Sequence, residues 1–246
     1  MGGGVGGTSE RAVARLPRAL PVRRLVIASG GGIGAALMPA WAAWLCTNYE
    51  VELRFALTRS AARLVSPRAL AAICGARTYV DGDDSGPVPA HLRLARFGEA
   101  LIVAPATANL IGKLAAGVAD DLVSTVVLCF EGPTVVIPSL PPGASGKPAV
   151  LRNVQQLRAD GYHVPALARG RSLATGEDGL GAMLDLPAAL AALETACARA
   201  RLTGVGAHKL EPRRRPTEGL RRKGRQRSRK PRRRLRTEST GGGSYR

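Results

Sequence analysis

Arg23-Arg24-Leu25-Val26-Ile27-Ala28-Ser29 followed by Gly30-Gly31-Gly32-Ile33-Gly34 is the stretch whose reading decides the fold class. A short apolar run bounded by glycines reads as a strand buried on both faces, the glycines as a tight turn, and the Ala/Leu/Trp-rich residues after them as a helix. A strand that is apolar without alternation belongs to a parallel sheet covered on both sides.

Working outward, the same pattern recurs. Residues 51–57 alternate as a second strand, residues 61–74 are Ala-rich and helical, and Ala100-Leu101-Ile102-Val103-Ala104 is a third apolar run. Residues 107–117 and 120–128 read as helices, and Thr134-Val135-Val136-Ile137 reads as a strand halted by Pro138. Residues 153–160 read as a helix closed by Gly161, residues 162–165 as a short strand, and residues 187–201 as a last helix. Strands alternating with helices predict an α/β fold, a flavodoxin- or Rossmann-like doubly wound parallel sheet, with ligands at the C-terminal ends of the strands.

The chain has 246 residues, 45% of them hydrophobic, enough for one sizeable core. Its net charge of +18 is unevenly spread: residues 202–246 hold sixteen Lys or Arg against three acids, leaving about +5 for the other 201 residues. The basic signal therefore belongs to an appendage. The domain organisation expected is a flexible N-terminal segment over residues 1–21, one globular domain over 22–201 and a basic tail, disordered alone, over 202–246. Cys46, Cys74, Cys129 and Cys197 have no paired spacing, which suits a reducing cytoplasm and argues against a disulfide framework or a zinc site. No apolar run reaches the ~20 residues of a membrane helix, and residues 1–7 are glycine-rich with no apolar signal segment, so a soluble protein is expected.

The glycine run fits G-x-G-x-x-A at Gly30, Gly32 and Ala35, a weak sign of a dinucleotide. A nicotinamide site also needs an acid at the end of the second strand, where the chain reads Leu57-Thr58-Arg59-Ser60-Ala61. Hydroxyls facing a glycine turn at a helix start suit a mononucleotide phosphate, because backbone N–H groups and the helix dipole favour an anion there. A turn that merely lets helix and strand pack closely accounts for the same residues.

The most specific stretch is Ala104-Pro105-Ala106-Thr107-Ala108-Asn109-Leu110-Ile111-Gly112-Lys113-Leu114-Ala115-Ala116-Gly117-Val118-Ala119-Asp120-Asp121-Leu122. It resembles the P-A-S-A-N-T segment and the following K-x-A-x-G-x-x-D-[DN]-L of the homo-oligomeric flavin-containing cysteine decarboxylases, a family that includes phosphopantothenoylcysteine decarboxylase and the lanthipeptide decarboxylases. Thr58-Arg59-Ser60-Ala61-Ala62-Arg63-Leu64 resembles the family's T-x-x-A-x-x-[FL], and Gly30 to Gly34 stand where the family has T-G-S-I-A. The likeness covers about residues 22–195. It implies FMN as cofactor, held by Gly30, Gly31, Gly32, Ile33, Thr58, Ser60, Pro105, Ala106 and Thr107, with no metal.

By the same resemblance His91, fourteen residues before Pro105, is the expected catalytic base, against the reading of a hydrogen-bonded histidine on an amphipathic helix. Asn109 is expected to hold a substrate carboxylate, and an N-cap is its other reading; Asp120 and Asp121 are read as caps of the following helix. The family chemistry removes the thiol proton of a C-terminal cysteine, passes hydride from its β-carbon to flavin N5, and loses carbon dioxide from the resulting thioaldehyde to give an enethiol. A histidine suits the proton transfer, being the side chain most often used as a general acid or base. In phosphopantothenoylcysteine decarboxylases a late cysteine helps return the enethiol to a saturated thiol; here Thr175 stands in its place, within Ala174-Thr175-Gly176-Glu177-Asp178-Gly179, next to substrate. That substitution implies release of the enethiol, as in the branch that makes aminovinyl-cysteine rings from ribosomal precursor peptides. The family's P-x-M-N-x-x-M-W substrate segment reads Pro138-Ser139-Leu140-Pro141-Pro142-Gly143-Ala144-Ser145, without the Asn or the Trp.

The expected partners are a peptide ending in cysteine, other peptide-modifying enzymes, and copies of the chain itself in a homotrimer or homododecamer. Rival readings are a coenzyme A-type phosphopantothenoylcysteine decarboxylase, a flavin-binding protein without decarboxylase activity, and a prenyl-flavin type transferase; His91 speaks against the last two. The arginine run over residues 213–236 could neutralise phosphates but has no interleaved aromatics to stack bases, so nucleic acid is not the expected partner.

Overall fold

The computed structural model describes residues 16–82, 86–171 and 176–210. Five parallel strands, β1 (Arg24–Ser29), β2 (Glu52–Leu57), β3 (Tyr79–Val80), β4 (Ala100–Ala106) and β5 (Thr134–Pro138), form a sheet in the order β3-β2-β1-β4-β5. The doubly wound parallel sheet expected from the apolar runs is therefore present. Along each strand successive side chains face opposite sides. Leu25, Ile27, Phe55 and Ile102 enter one core under α1 (Met38–Asn48), α2 (Pro67–Cys74) and α8 (Leu186–Thr203). Val26, Ala28, Leu101 and Val103 enter the other, under α3 (Ala90–Phe97), α4 (Ala108–Ala115), α5 (Leu122–Cys129) and α7 (Pro148–Ala159). Leu25, Ile27, Phe55 and Leu101 are at most 1% exposed, each contributing roughly 1.5–3 kcal/mol of burial.

The strand order reverses at β1, which pairs with β2 on one side and β4 on the other. The C-terminal ends of β1 and β4 thus diverge, and a crevice opens between them. This puts Gly30 to Gly32 opposite Pro105 to Thr107.

Several elements differ from the sequence expectation for identifiable reasons. Helix over 61–74 is split into a 3-10 turn (Ala61–Arg63) and α2, because Pro67 lacks an N–H and holds Ser66 extended; the Ser66 hydroxyl then caps α2 by accepting from Ala69 N. The glycine turn leads first into a 3-10 segment (Ile33–Leu37) and only then into α1. The strand over 162–165 reduces to one parallel bridge between Val135 and His163. Helix α7 starts at Pro148, five residues before Asn153, since proline is at home in a first turn.

Strict alternation also breaks: β6 (Ala168–Arg171) and β7 (Asp178–Ala182) form an antiparallel pair of their own, followed by α8, while a single turn, α6 (Pro142–Ser145), follows β5. Helix α8 runs to Thr203, and the chain stays packed to Leu210, with Lys209 Nζ donating to Ala95 O at 2.7 Å. At the other end Tyr49 donates to Pro17 O at 2.7 Å, and Leu20 packs on the core. Among the described residues no helix is long and apolar enough to cross a membrane, and no group of three His, Cys, Asp or Glu could hold a metal.

Candidate active site

The glycine turn rests directly on the end of β4. Gly30 N donates to Pro105 O at 3.0 Å, and the buried Ser29 hydroxyl donates to Ala104 O at 2.7 Å. A Cβ on Gly30 would stand 2.8 Å from Pro105 O, and one on Gly31 would collide with Ser60 Cβ. Glycine is required at both positions by close approach and not by an unusual φ. The Ala104–Pro105 peptide is cis.

Two clefts meet at this turn. The first, about 450 Å³, is polar and is lined by Gly30, Gly31, Thr58, Arg59, Ser60, Asp81, Thr107, Asn109 and Lys113, closing on Asp120 and Asp121. Thr107 caps α4 by accepting from Leu110 N at 3.3 Å, which leaves Asn109 in the first turn of that helix, free of the N-cap role. Thr58 accepts from Ala61 N at 3.1 Å. Arg59 Nε lies 3.1 Å from Asp81 Oδ2, while Asp81 Oδ1 accepts from Leu122 N at 2.9 Å. Arg59 is 73% exposed against 20% for Asp81, so the pair is worth under ~1 kcal/mol and the guanidinium is readily drawn elsewhere.

Lys113 Nζ bridges Asp120 at 2.6 Å and Asp121 at 2.8 Å, and these two hydrogen bonds raise its pKa above the ordinary lysine value. Burial pushes the Asp121 carboxyl up, but hydrogen bonds from Lys113 and from Ser124 N outweigh it and leave the group below its ordinary value. Asp121 forms a capping box with Ser124 at the start of α5, as read from the sequence.

The second cleft, about 670 Å³, is mainly apolar. Ile33, Leu37, Leu140 and Met183 line it together with Thr107, Asn109 and Ser139 and with residues 168–171 of β6. Of the expected cofactor residues, Gly30, Gly31, Thr58 and Ser60 line the polar cleft, Gly32 and Ile33 the apolar one, and Thr107 both. Pro105 lies under the turn, and buried Ala106 accepts from Ser139 N at 2.8 Å, which fixes the strand end between the clefts.

His91 stands apart. It lies half-buried in the first turn of α3 and lines a smaller cleft of about 220 Å³ with Gly82, Ala119 and Thr125. That cleft shares Asp81, Asp120 and Asp121 with the polar one but contains neither Asn109 nor the glycines. Within one copy of the chain His91 and Asn109 line different clefts. Thr175 lies outside the described residues. Sequence reasoning missed Arg59, Asp81, Ser139, Arg169, Arg171 and Met183. Arg59 was flagged by its neighbours Thr58 and Ser60; Asp81, which bonds a backbone group 41 residues away, has no local signal.

His163 lines a fourth cavity, about 340 Å³, at the N-terminal end of β5. Burial, then the charges of Arg199 and Arg158, lower its pKa. Cys74 and Cys197 are pushed up to about 12, chiefly by burial, and are poor nucleophiles.

Fold and site together define a doubly wound α/β protein with a polar cleft and an apolar cleft joined at its topological switch point. The chain belongs to the Flavoprotein family, whose sequence profile matches residues 13–195. The solved structure of the FMN-dependent cysteine decarboxylase SpaF is 34% identical, with a TM-score of 0.60 over 75% of this chain and 99% of that one. Mersacidin decarboxylase of a Bacillus species is 29% identical over 63% of this chain and 79% of its own length. The bifunctional coenzyme A biosynthesis protein CoaBC of Bacillus subtilis is 34% identical over 57% of this chain, and the match spans 35% of that protein. The resemblance read from residues 104–122 is thus borne out at the level of the family.

The residues present fit a flavin mononucleotide. Gly30 and Gly31 have no space for a side chain, the polar cleft sets the hydroxyls of Thr58, Ser60 and Thr107 beside the exposed, loosely paired Arg59, and Gly32 and Ile33 open from the same turn onto the adjoining cleft.

Proposed function

We propose that this protein is an FMN-dependent enzyme that oxidatively decarboxylates the C-terminal cysteine of a ribosomal precursor peptide, giving the aminoenethiol used for aminovinyl-cysteine formation. The observation that carries the reading is the join of the two clefts. One strand-helix unit, β4 and α4, delivers Thr107 and Asn109 to both at once. A cofactor in the polar cleft and a substrate in the apolar one therefore meet at Asn109.

Gly30, Gly31, Gly32, Ile33, Thr58, Ser60, Pro105, Ala106 and Thr107 hold the FMN. When bound, it supplies the acceptor for hydride from the cysteine β-carbon. His91 takes the thiol proton, which strengthens electron release from sulfur toward that carbon. Asn109 donates its amide N–H groups to the substrate carboxylate, orienting it without the full charge that would resist its loss as carbon dioxide. Thr175 carries no thiol, so the enethiol leaves unreduced.

His91 reaches the chemistry from a neighbouring copy. Its separation from Asn109 within one chain supports a homotrimer, or a dodecamer of trimers, in which two copies complete each site. The decarboxylase domain spans residues 22–201 together with the segments 16–21 and 202–210 that pack on it, and the protein works in the cytoplasm alongside other peptide-modifying enzymes.

A second reading, decarboxylation of phosphopantothenoylcysteine, is favoured by the identity with CoaBC. The two differ in where the electrons end. Mixed anaerobically with an equivalent of cysteine-ended peptide, the FMN-loaded protein is expected to lose its visible flavin absorption in proportion to the carbon dioxide released. Carbon dioxide released from phosphopantothenoylcysteine without lasting bleaching, and none from peptides, would favour the second reading.

A further inference from the structure

Ser139, the first residue after β5, presents a hydroxyl that the fold leaves uncommitted. Its backbone is fixed from both sides: Ser139 N donates to Ala106 O and Leu140 N to Gly181 O, each at 2.8 Å. The hydroxyl is turned toward the glycine turn, where a Cβ on Gly32 would stand 3.4 Å from Ser139 Oγ and 3.4 Å from the Pro105 ring. The ends of β1, β4 and β5 therefore converge on it. Ser139 is half-buried, lines the apolar cleft with Asn109, and its hydroxyl has no hydrogen-bond partner among the described residues. The other polar side chains of this loop and this cleft are spent. Ser145 is 3% exposed and donates to Pro142 O at 2.9 Å, Thr107 caps α4, and Asp185 caps α8 by accepting from Ala188 N at 3.0 Å. Arg169 has a partner already, and Arg171 stands opposite Asp178 in the β6–β7 ladder. Pro141, at the place where the related segment has Asn, offers neither a side-chain donor nor an N–H. Asn109 and Ser139 are what remains.

The carboxylate of a terminal cysteine lies two bonds from the β-carbon that yields hydride, so it must be held where the two clefts join. Pairing it with a cation would stabilise most the charge that has to disappear as carbon dioxide forms, and so would slow the reaction. Neutral donors orient the group with less of that penalty. One donor leaves the carboxylate free to rotate about its bond to the α-carbon, whereas two donors from neighbouring strand ends fix the bond that breaks. Resting on the peptide reading above, we infer that Ser139 is a substrate-binding residue of this chain, its hydroxyl donating to one oxygen of the peptide's C-terminal carboxylate while the Asn109 amide donates to the other. The loop after β5 thus recognises the terminus through a short hydroxyl at its first position, with Ser145 turned inward and Pro141 without a role in binding.

The test uses the full-length FMN-loaded protein and two unreactive peptides, one ending in serine and its counterpart ending in ethanolamine, which lacks only the carboxylate. Calorimetric titration should show the serine-ended peptide binding more tightly. Ser139→Ala is expected to weaken the serine-ended peptide about tenfold and to leave the ethanolamine-ended one within about twofold, so that the ratio of the two affinities falls. Ser139→Thr, which keeps the hydroxyl, should retain most of that ratio. With the cysteine-ended peptide the Ser139→Ala loss should reside in KM, and FMN affinity should hold. Because the readout is a ratio of two ligands on one protein sample, it survives a variant that folds only in part. An equal loss for both peptides, an unchanged ratio, or a matching loss of FMN affinity overturns the inference and leaves the decarboxylase reading standing. Turnover of phosphopantothenoylcysteine with neither binding nor turnover of any peptide overturns both.

Discussion

The polar and apolar clefts share Thr107 and Asn109 yet are made in opposite ways. The polar cleft is assembled from the ends of β1, β2 and β4 and the helices after them, in short contiguous segments that the parallel sheet sets side by side. The apolar cleft takes one wall from the turn after β1, a second from residues 139–141 beyond β5, and a third from a hairpin outside the sheet. Sheet topology alone guarantees the first. The second depends on loops braced against one another, and loops are where a fold changes its substrate without changing its cofactor.

If that division is right, changes in the two clefts should separate cofactor binding from peptide binding. The largest effect is expected from Gly31→Val, whose side chain meets Ser60: FMN binding should weaken by roughly 1–3 kcal/mol, or about 5- to 150-fold, measured by flavin fluorescence quenching. Affinity for a serine-ended peptide, which cannot react, should change little. A Gly31→Val protein that binds FMN normally would break the assignment of the polar cleft.

Next comes Arg59→Gln. The loose pairing to Asp81 leaves the guanidinium available to a phosphate, so the FMN dissociation constant should rise about tenfold, while riboflavin, which lacks the phosphate, should bind as before. An equal loss for both ligands would mean that Arg59 acts through the fold.

The smallest effect is expected far from both clefts. His163 has its pKa lowered in the folded chain, so below the unfolded value near ~6.5 the unfolded state takes up the proton first. Stability should therefore fall as pH drops from about 6.5 toward the folded value, and His163→Asn should flatten that fall by under ~1 kcal/mol without changing FMN or peptide affinity. Chemical denaturation at a series of pH values measures it.

The sequence carried the sheet because buried parallel strands are unbroken apolar runs, and β1, β4 and β5 could hardly be read otherwise. It carried the polar cleft because Gly30, Thr58, Ser60 and Asn109 each lie beside a strand end, so that finding the strand also finds the site. The hairpin was invisible. Gly170, Gly179 and Gly181 weaken strand periodicity, and they are there because Ala182, Pro142 and Leu140 leave no space for side chains, a constraint that exists only after folding. Asp81 and the isolation of His91 from Asn109 were likewise unreadable, since both follow from how distant segments pack.

The central claim concerns what leaves the peptide, and mass spectrometry of the product tests it most directly. After incubation of a cysteine-ended peptide with the FMN-loaded protein, the account predicts a product lighter by carbon dioxide and two hydrogens. A product lighter by carbon dioxide alone would contradict oxidative release, and an unchanged mass for every cysteine-ended peptide would contradict the reaction itself.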